Sequence, residues 1–301
     1  MGVTLTWLVL SGSMFLGLTV SNYIIMIMLM EVSLFAFIFL VDSNRLPHTM
    51  MACIKYFLVQ TIGSILLFSS IMFITYNEQA MYLLSLPGIL LKLGVFPMHF
   101  WVLPVNKELS YLLIGVVGSP LKLLPLWYFN NMYTYIVLSI SYLILLLSTV
   151  SMIIGMINGL VSSSIRTMLG ASSISHSGWF LLSVLSLDVI AYFLLYTLSF
   201  LMVIASLFYS TTWLTTISLL SLSGLPPFSV FMGKLLVIYH LMAFTSTYVY
   251  LMVALLSVIA SLYYYLKFAF YFYLTMKKMY TFLMGAFFFI LNSCCVLYVL
   301  S

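Results

Sequence analysis

Charge is the scarcest commodity in this sequence. Of 301 residues, 5% are Asp, Glu, Lys or Arg, ten basic against five acidic. A soluble domain cannot clothe itself in polar surface from that stock, so a soluble globular fold is excluded. The net charge of +5 is scattered along the chain and leaves no basic face, which excludes a nucleic-acid footprint. Cysteine is nearly missing: Cys53, Cys294 and Cys295 form neither a ligand spacing nor a disulfide framework and are read as structural thiols. Long polar linkers are missing, so no separate soluble domain is expected. Strand-like alternation of apolar and polar residues is missing, which excludes a membrane β-barrel. The first residues carry neither a basic n-region nor an Arg-rich amphipathic segment, so no cleavable targeting peptide is expected, and insertion from inside the chain's own compartment is. Metal-ligand clusters, glycine-rich phosphate loops and nucleophile–base pairs are missing too, and no redox centre or cofactor is expected in this chain.

What remains is apolar. Hydrophobic residues make up 65% of the chain and mean hydropathy is +1.25. Apolar runs of about 20 residues recur, each long enough to cross a bilayer as a helix. The reading is an all-α polytopic membrane protein with about eleven spans, near 3–20, 22–41, 50–75, 80–101, 109–129, 133–157, 163–185, 188–209, 213–242, 246–273 and 279–300. Together they form a single integral membrane domain over 1–301. With this count the loops on one side hold Arg45, Lys107, Arg166, Lys277 and Lys278, and the other side holds Glu78 and Asp188. That asymmetry orients the chain.

One stretch breaks the rules of such runs: Pro87-Gly-Ile-Leu-Leu-Lys92-Leu-Gly94-Val-Phe-Pro97-Met-His99-Phe-Trp101. Lys92 is ionisable at membrane depth, where a charge needs a partner or water. Gly94 and Pro97 predict a helix break, and irregular backbone at that depth belongs in a protein-lined or wet cavity. Lys92 beside a break is a candidate ion site; the plainer alternative is a kinked helix whose lysine snorkels to the surface. Span nine repeats the pattern as Ser221-Leu-Ser-Gly224-Leu-Pro226-Pro227-Phe-Ser-Val-Phe-Met-Gly-Lys234. The two broken spans stand five helices apart, an odd number, so a five-helix repeat would be inverted in the membrane. The repeats are set at about 3–129 and 133–273, with a C-terminal helix at about 279–300. Interrupted spans at matching positions of inverted halves point to a transport site.

Few other residues can carry chemistry. Glu31, in the middle of span two, needs a cation if it is to stay charged, and Lys92 is the partner proposed; a neutral Glu31 bonded to a neighbour is the alternative. Lys122 lies between Pro120 and Pro125, as a relay residue or an interfacial lysine. His176, among Ser172, Ser173, Ser175 and Ser177, serves either close packing or proton relay. His99 is similar but nearer the surface. Lys55 is read as snorkelling, with ion pairing as the alternative. A buried lysine that gains and loses its anion can exchange a proton, so the row reads as a proton path without bond-making catalysis.

Several motifs resemble one family: Met30-Glu31-Val-Ser-Leu-Phe-Ala-Phe, Ile54-Lys55-Tyr-Phe-Leu-Val-Gln60, Lys92-Leu-Gly-Val-Phe-Pro-Met-His99-Phe-Trp-Val, Ala171-Ser-Ser-Ile-Ser-His176-Ser-Gly-Trp179 and Leu222-Ser-Gly-Leu-Pro-Pro-Phe-Ser-Val-Phe-Met-Gly-Lys234. They are similar to the antiporter-like membrane subunits of mitochondrial NADH–ubiquinone oxidoreductase, respiratory complex I, and to the chain 2 family among them in its shortened animal form. The resemblance runs from residue 30 to 234; beyond about 245 only the hydrophobic character matches. It implies an antiporter-like bundle of inverted five-helix repeats in the mitochondrial inner membrane. It implies a proton path through Glu31, Lys92, Lys122 and Lys234, with Glu31 modulating Lys92, Lys122 linking half-channels and Lys234 toward the exit. NADH, FMN, iron–sulfur clusters and ubiquinone would belong to other subunits, and the partners would be sister antiporter-like chains and membrane lipids. Two departures touch only loops: Thr167 follows Arg166 where many relatives have a second basic residue, and Trp-Val-Leu-Pro104 replaces Trp-Val-Pro. Other classes to weigh are a stand-alone cation/proton antiporter and a passive membrane scaffold.

Overall fold

The computed structural model describes residues 2–42, 47–72, 78–133, 138–186, 188–226, 228–242 and 248–275. Every regular element among them is an α-helix. The span expected at 279–300 lies outside the described residues, as do Arg45, Pro227, Lys277 and Lys278. The chain falls into two compact units, Met1–Ser151 and Met152–Ser301.

The first unit holds α1 (Gly2–Thr19), α2 (Tyr23–Asp42), α3 (Pro47–Ile71), α4 (Glu78–Leu93), α5 (Val102–Glu108), α6 (Tyr111–Gly118) and α7 (Pro120–Tyr133). Helix α8 (Leu138–Val161) runs across the unit boundary. The second unit continues with α9 (Ile165–Ser186), α10 (Val189–Phe208), α11 (Thr212–Ser223), α12 (Ser229–Leu241) and α13 (Tyr248–Leu274). Among the described residues, six stretches are long and apolar enough to span a membrane: Tyr23–Val41, Pro47–Ile71, Tyr111–Met132, Ile140–Val161, Val189–Phe208 and Tyr248–Leu274. A backbone break ends the helix of the fourth expected span at Leu93, another divides the ninth into two short helices, and serines and His176 dilute the apolar character of α9.

Because these helices are apolar nearly all round, hydrophobicity does not decide which face turns inward; side-chain size and hydrogen bonding do. Helix α3 buries Thr49, Ala52, Cys53, Gln60, Gly63 and Ser64 and exposes Met51, Ile54, Leu58, Ile62 and Ile65. Helix α13 likewise buries Ala254, Ser257, Ser261, Tyr264 and Tyr265 and exposes Met252, Leu256 and Ile259. The buried serines need no partner helix. Those of α9 donate to carbonyls three residues back, Ser172 to Leu169 at 2.8 Å and Ser177 to Ile174 at 2.7 Å. That satisfies hydroxyls where water is absent.

Within the first unit, α3 packs along α4, and two glycines set the distance. A Cβ on Gly88 would stand 2.9 Å from the Gly63 carbonyl oxygen, and one on Gly63 would stand 3.3 Å from that of Gly88. The two backbones therefore touch without side chains between them. In the second unit α10 and α13 both pack against α11, and α12 against α9 and α10.

Candidate functional site

Three buried lysines lie in these helices, and each stands beside a helix break. Lys92, Lys122 and Lys234 are all 5% exposed or less.

The first break follows Lys92. Helix α4 ends at Leu93, and Gly94 turns to φ +71°. The Gly94 N–H donates to Leu91 at 3.3 Å and the Val95 N–H to Leu90 at 3.0 Å, a Schellman closure that only a left-handed residue permits at low cost. Residues 95–101 then run as turns, with a cis Phe96–Pro97 peptide, before α5 begins. The break frees carbonyls, and two side chains take them. The Trp101 indole Nε1–H donates to the Leu91 carbonyl at 3.0 Å, and the Gln60 amide of α3 reaches the Lys92 carbonyl at 3.5 Å. The last turn of α4 is thus held at two successive carbonyls, Leu91 and Lys92. Its ammonium Nζ meets Glu31 Oε1 of α2 at 3.1 Å; the lysine side chain is 2% exposed, the glutamate 18%. Two ions that each cost several kcal/mol to hold alone in a dry interior are held together. His99 lies in the turns, its ring against Phe100 at 4.6 Å and Phe96 at 6.0 Å.

The second break lies within the fifth expected span. Helix α6 ends at Gly118 and α7 starts at Pro120. Pro120 has no N–H to donate and disfavours helical backbone in the residue before it. Ser119 accordingly leaves the helical region, at φ −122° and ψ −82°, while its hydroxyl and N–H both donate to the Gly115 carbonyl, at 2.6 and 3.1 Å. Lys122 sits in the first turn of the new helix, its N–H donating to the Ser119 carbonyl at 3.1 Å.

The third break ends α11 at Ser223, with Gly224 at φ +80°. Lys234, on α12, donates its ammonium to the Ser223 carbonyl at 3.3 Å, so the charge meets the partly negative end of a half-helix. A Cβ on Gly224 would stand 3.0 Å from that Nζ. Pro226 follows in the turn. His176 is buried nearby in the same unit, between two tyrosine hydroxyls: Nδ1 shares a hydrogen bond with Tyr192 at 2.8 Å and Nε2 approaches Tyr265 at 3.4 Å. The Tyr196 ring lies 4.7 Å from the imidazole.

Elsewhere Lys55 pairs with Glu108 at 3.2 Å, both partly exposed, and His240 pairs with Asp188. Among the described residues no group of three or more His, Cys, Asp or Glu gathers as a metal site.

The sequence singled out the charged members of these clusters and passed over the neutral ones that hold them. Gln60 and Trp101 are missed as clamps, and Tyr192 and Tyr265 as partners of His176. A signal existed for Gln60, a polar side chain one turn from Gly63 in an apolar helix. For the tyrosines none did, in a chain with 22 of them.

A family model described as NADH:quinone oxidoreductase/Mrp antiporter, TM, matches residues 77–212. NADH-ubiquinone oxidoreductase chain 2 of Albinaria caerulea is 36% identical over 268 residues, covering 88% of this chain and 87% of that one. The chain 2 protein of Anopheles gambiae is 32% identical over 79% of this chain and 76% of its own length. Among solved structures, a chain of respiratory complex I from Thermus thermophilus superposes with a TM-score of 0.78 at 20% identity, over 88% of this chain and 69% of that one. A chain of the Mrp complex from Dietzia sp. gives 0.78 at 19% identity, and this chain spans 59% of its length. These structures establish a shared fold. The sequence identity, sustained along most of both chains, goes further: the chain belongs to the NADH-ubiquinone oxidoreductase chain 2 family.

Proposed function

We propose that the three lysine-bearing breaks are stations of a proton route. The chain is a membrane subunit of a proton-translocating NADH–ubiquinone oxidoreductase, a multi-pass protein with partners in a membrane arm. In the reading put forward here, Lys92 takes and releases protons as Glu31 closes on it and withdraws. Lys122 receives the proton and Lys234 delivers it toward the exit, with His99 and His176 as auxiliary relays. The observation that carries this reading is the Glu31–Lys92 pair, buried at a broken helix end. A lysine held by one carboxylate at 3.1 Å loses its stabilising anion when that carboxylate moves.

The finer architecture follows the same reading: about eleven spans in two inverted five-helix repeats, in the shortened animal form. The breaks at Gly94 and Gly224, each with a left-handed glycine, support it. The membrane is the mitochondrial inner membrane, and NADH, FMN, iron–sulfur clusters and ubiquinone are bound by other subunits. The antiporter-like fold favours one other reading, a stand-alone cation/proton antiporter. Purification in mild detergent separates the two: co-migration with NADH dehydrogenase activity is expected, and migration as a free transporter would refute subunit membership.

A further inference from the structure

Lys92 and Lys234 stand beside similar breaks but are held differently. Lys92 has a carboxylate. Among the described residues no carboxylate comes within ion-pair distance of Lys234. Lys234 is nonetheless buried, at 5% exposed, and a buried ammonium needs compensation. One carbonyl oxygen, that of Ser223 at 3.3 Å, supplies part of it. On another side lies the indole of Trp179, its centroid 5.7 Å from Nζ. Trp179 comes from α9 and is 2% exposed. A ring face at that range attracts a cation through its quadrupole, most strongly for tryptophan and more so where water is excluded.

The surroundings fix that ring. Tyr192 of α10 lies 6.3 Å from the Trp179 ring and bonds His176 at 2.8 Å. Tyr192 also rests on Gly233, where an added Cβ would stand 2.8 Å from its Cδ2. Gly233 precedes Lys234 in α12, so the aromatic cluster and the lysine's helix are in register. We propose that Trp179 is a positioning residue for Lys234, its ring face and the open end of α11 together doing for this lysine what Glu31 does for Lys92. The ring is neutral, so this half of the site holds a proton without a fixed anion. It also couples Lys234 through Tyr192 to His176.

The inference rests on Lys234 lying on the proton route, and the test separates the two. Inner-membrane vesicles carrying the complex with W179F, W179M or K234A are assayed for proton pumping and NADH oxidation, with assembly checked on native gels. Phenylalanine keeps a ring face; methionine fills space without one. The expected result is W179F within about twofold of the parent and W179M down about tenfold, with K234A lower still. Equal losses in W179F and W179M would reduce Trp179 to packing and overturn the inference. Normal pumping by assembled K234A would instead remove Lys234 from the route. If W179M does not assemble, W179F and W179Y decide: both keep a ring face, and either one falling to the level of K234A overturns the inference.

Discussion

Replacing Lys92 by alanine is the sharpest perturbation of the proposed route, and the structure sets its size. At 3.1 Å and an effective dielectric of about 20, the Glu31–Lys92 attraction is about 5 kcal/mol. Removing one partner of a buried pair typically costs about 3–5 kcal/mol, because the other is left uncompensated. Alanine also removes the group that exchanges the proton, so exchange at this station should be lost in complex that does assemble. If only a quarter of the pair energy bears on the transfer barrier, the rate falls about tenfold, at about 1.4 kcal/mol per decade. NADH oxidation should slow with pumping, since a blocked path stalls a tightly coupled machine. Lys92→Arg should also impair, because a guanidinium keeps its proton. Glu31→Gln should be milder: the amide still accepts a hydrogen bond from the ammonium but no longer sets its charge. A double variant, Glu31→Gln with Lys92→Met, should disturb assembly less than Glu31→Gln alone, since it leaves no buried charge. The assay is pumping and NADH oxidation in sealed vesicles, with assembly on native gels. A fully assembled Lys92→Ala complex that pumps at the normal rate would refute the relay and favour a passive scaffold.

Three further outcomes are expected. Gly88→Ala should destabilise the first unit by about 1–3 kcal/mol, because the new methyl meets a backbone carbonyl that cannot step aside; thermal loss of assembled complex measures it. Gly94→Ala should be worse than Gly12→Ala, where an added Cβ meets nothing within 4 Å: Gly94 is left-handed, at about 1–2 kcal/mol for any side chain, and its Cβ would stand 2.5 Å from Val102 Cγ2. The loops bearing Lys107 and Arg166 are expected to face the matrix, so introduced cysteines near them should be labelled from that side in sealed vesicles, and labelling from the intermembrane side would refute this orientation.

What could be read from the sequence was what polymer chemistry makes obligatory. Apolar runs forced helices. Proline with glycine forced breaks, and the turns from Gly94 and Gly224 lie where those residues stand. Lysine at membrane depth demanded a partner, and Glu31 was the acidic residue in mid-span able to serve. The Ser119 break was only half legible. Pro120 announced loosening, but whether a span bends or separates depends on local bonding, here the double bond to Gly115. Trp101 and Trp179 stayed hidden because an aromatic in an apolar stretch says nothing until its neighbour across the packing is known, whereas Gln60 carried a signal, an amide one turn from Gly63, that was passed over. Lys55 shows the converse. Its reading as a snorkelling residue missed Glu108, which α5 brings alongside by continuing along α3 beyond the first break.

The contact of α3 with α4 through Gly63 and Gly88 bears on which half of the ion pair is free to travel. Two helices that meet carbonyl to α-carbon have no compressible cushion, so sliding one along the other drives backbone into backbone. Gln60 bolts the end of α4 to the same strut, and Trp101 ties the turn after the break back to Leu91. Lys92 therefore belongs to the stator. Glu31 rides on α2, and its side chain is the more exposed of the two. On the proposed route, the stroke that opens the pair falls to the carboxylate, measured against a lysine whose backbone is held fixed.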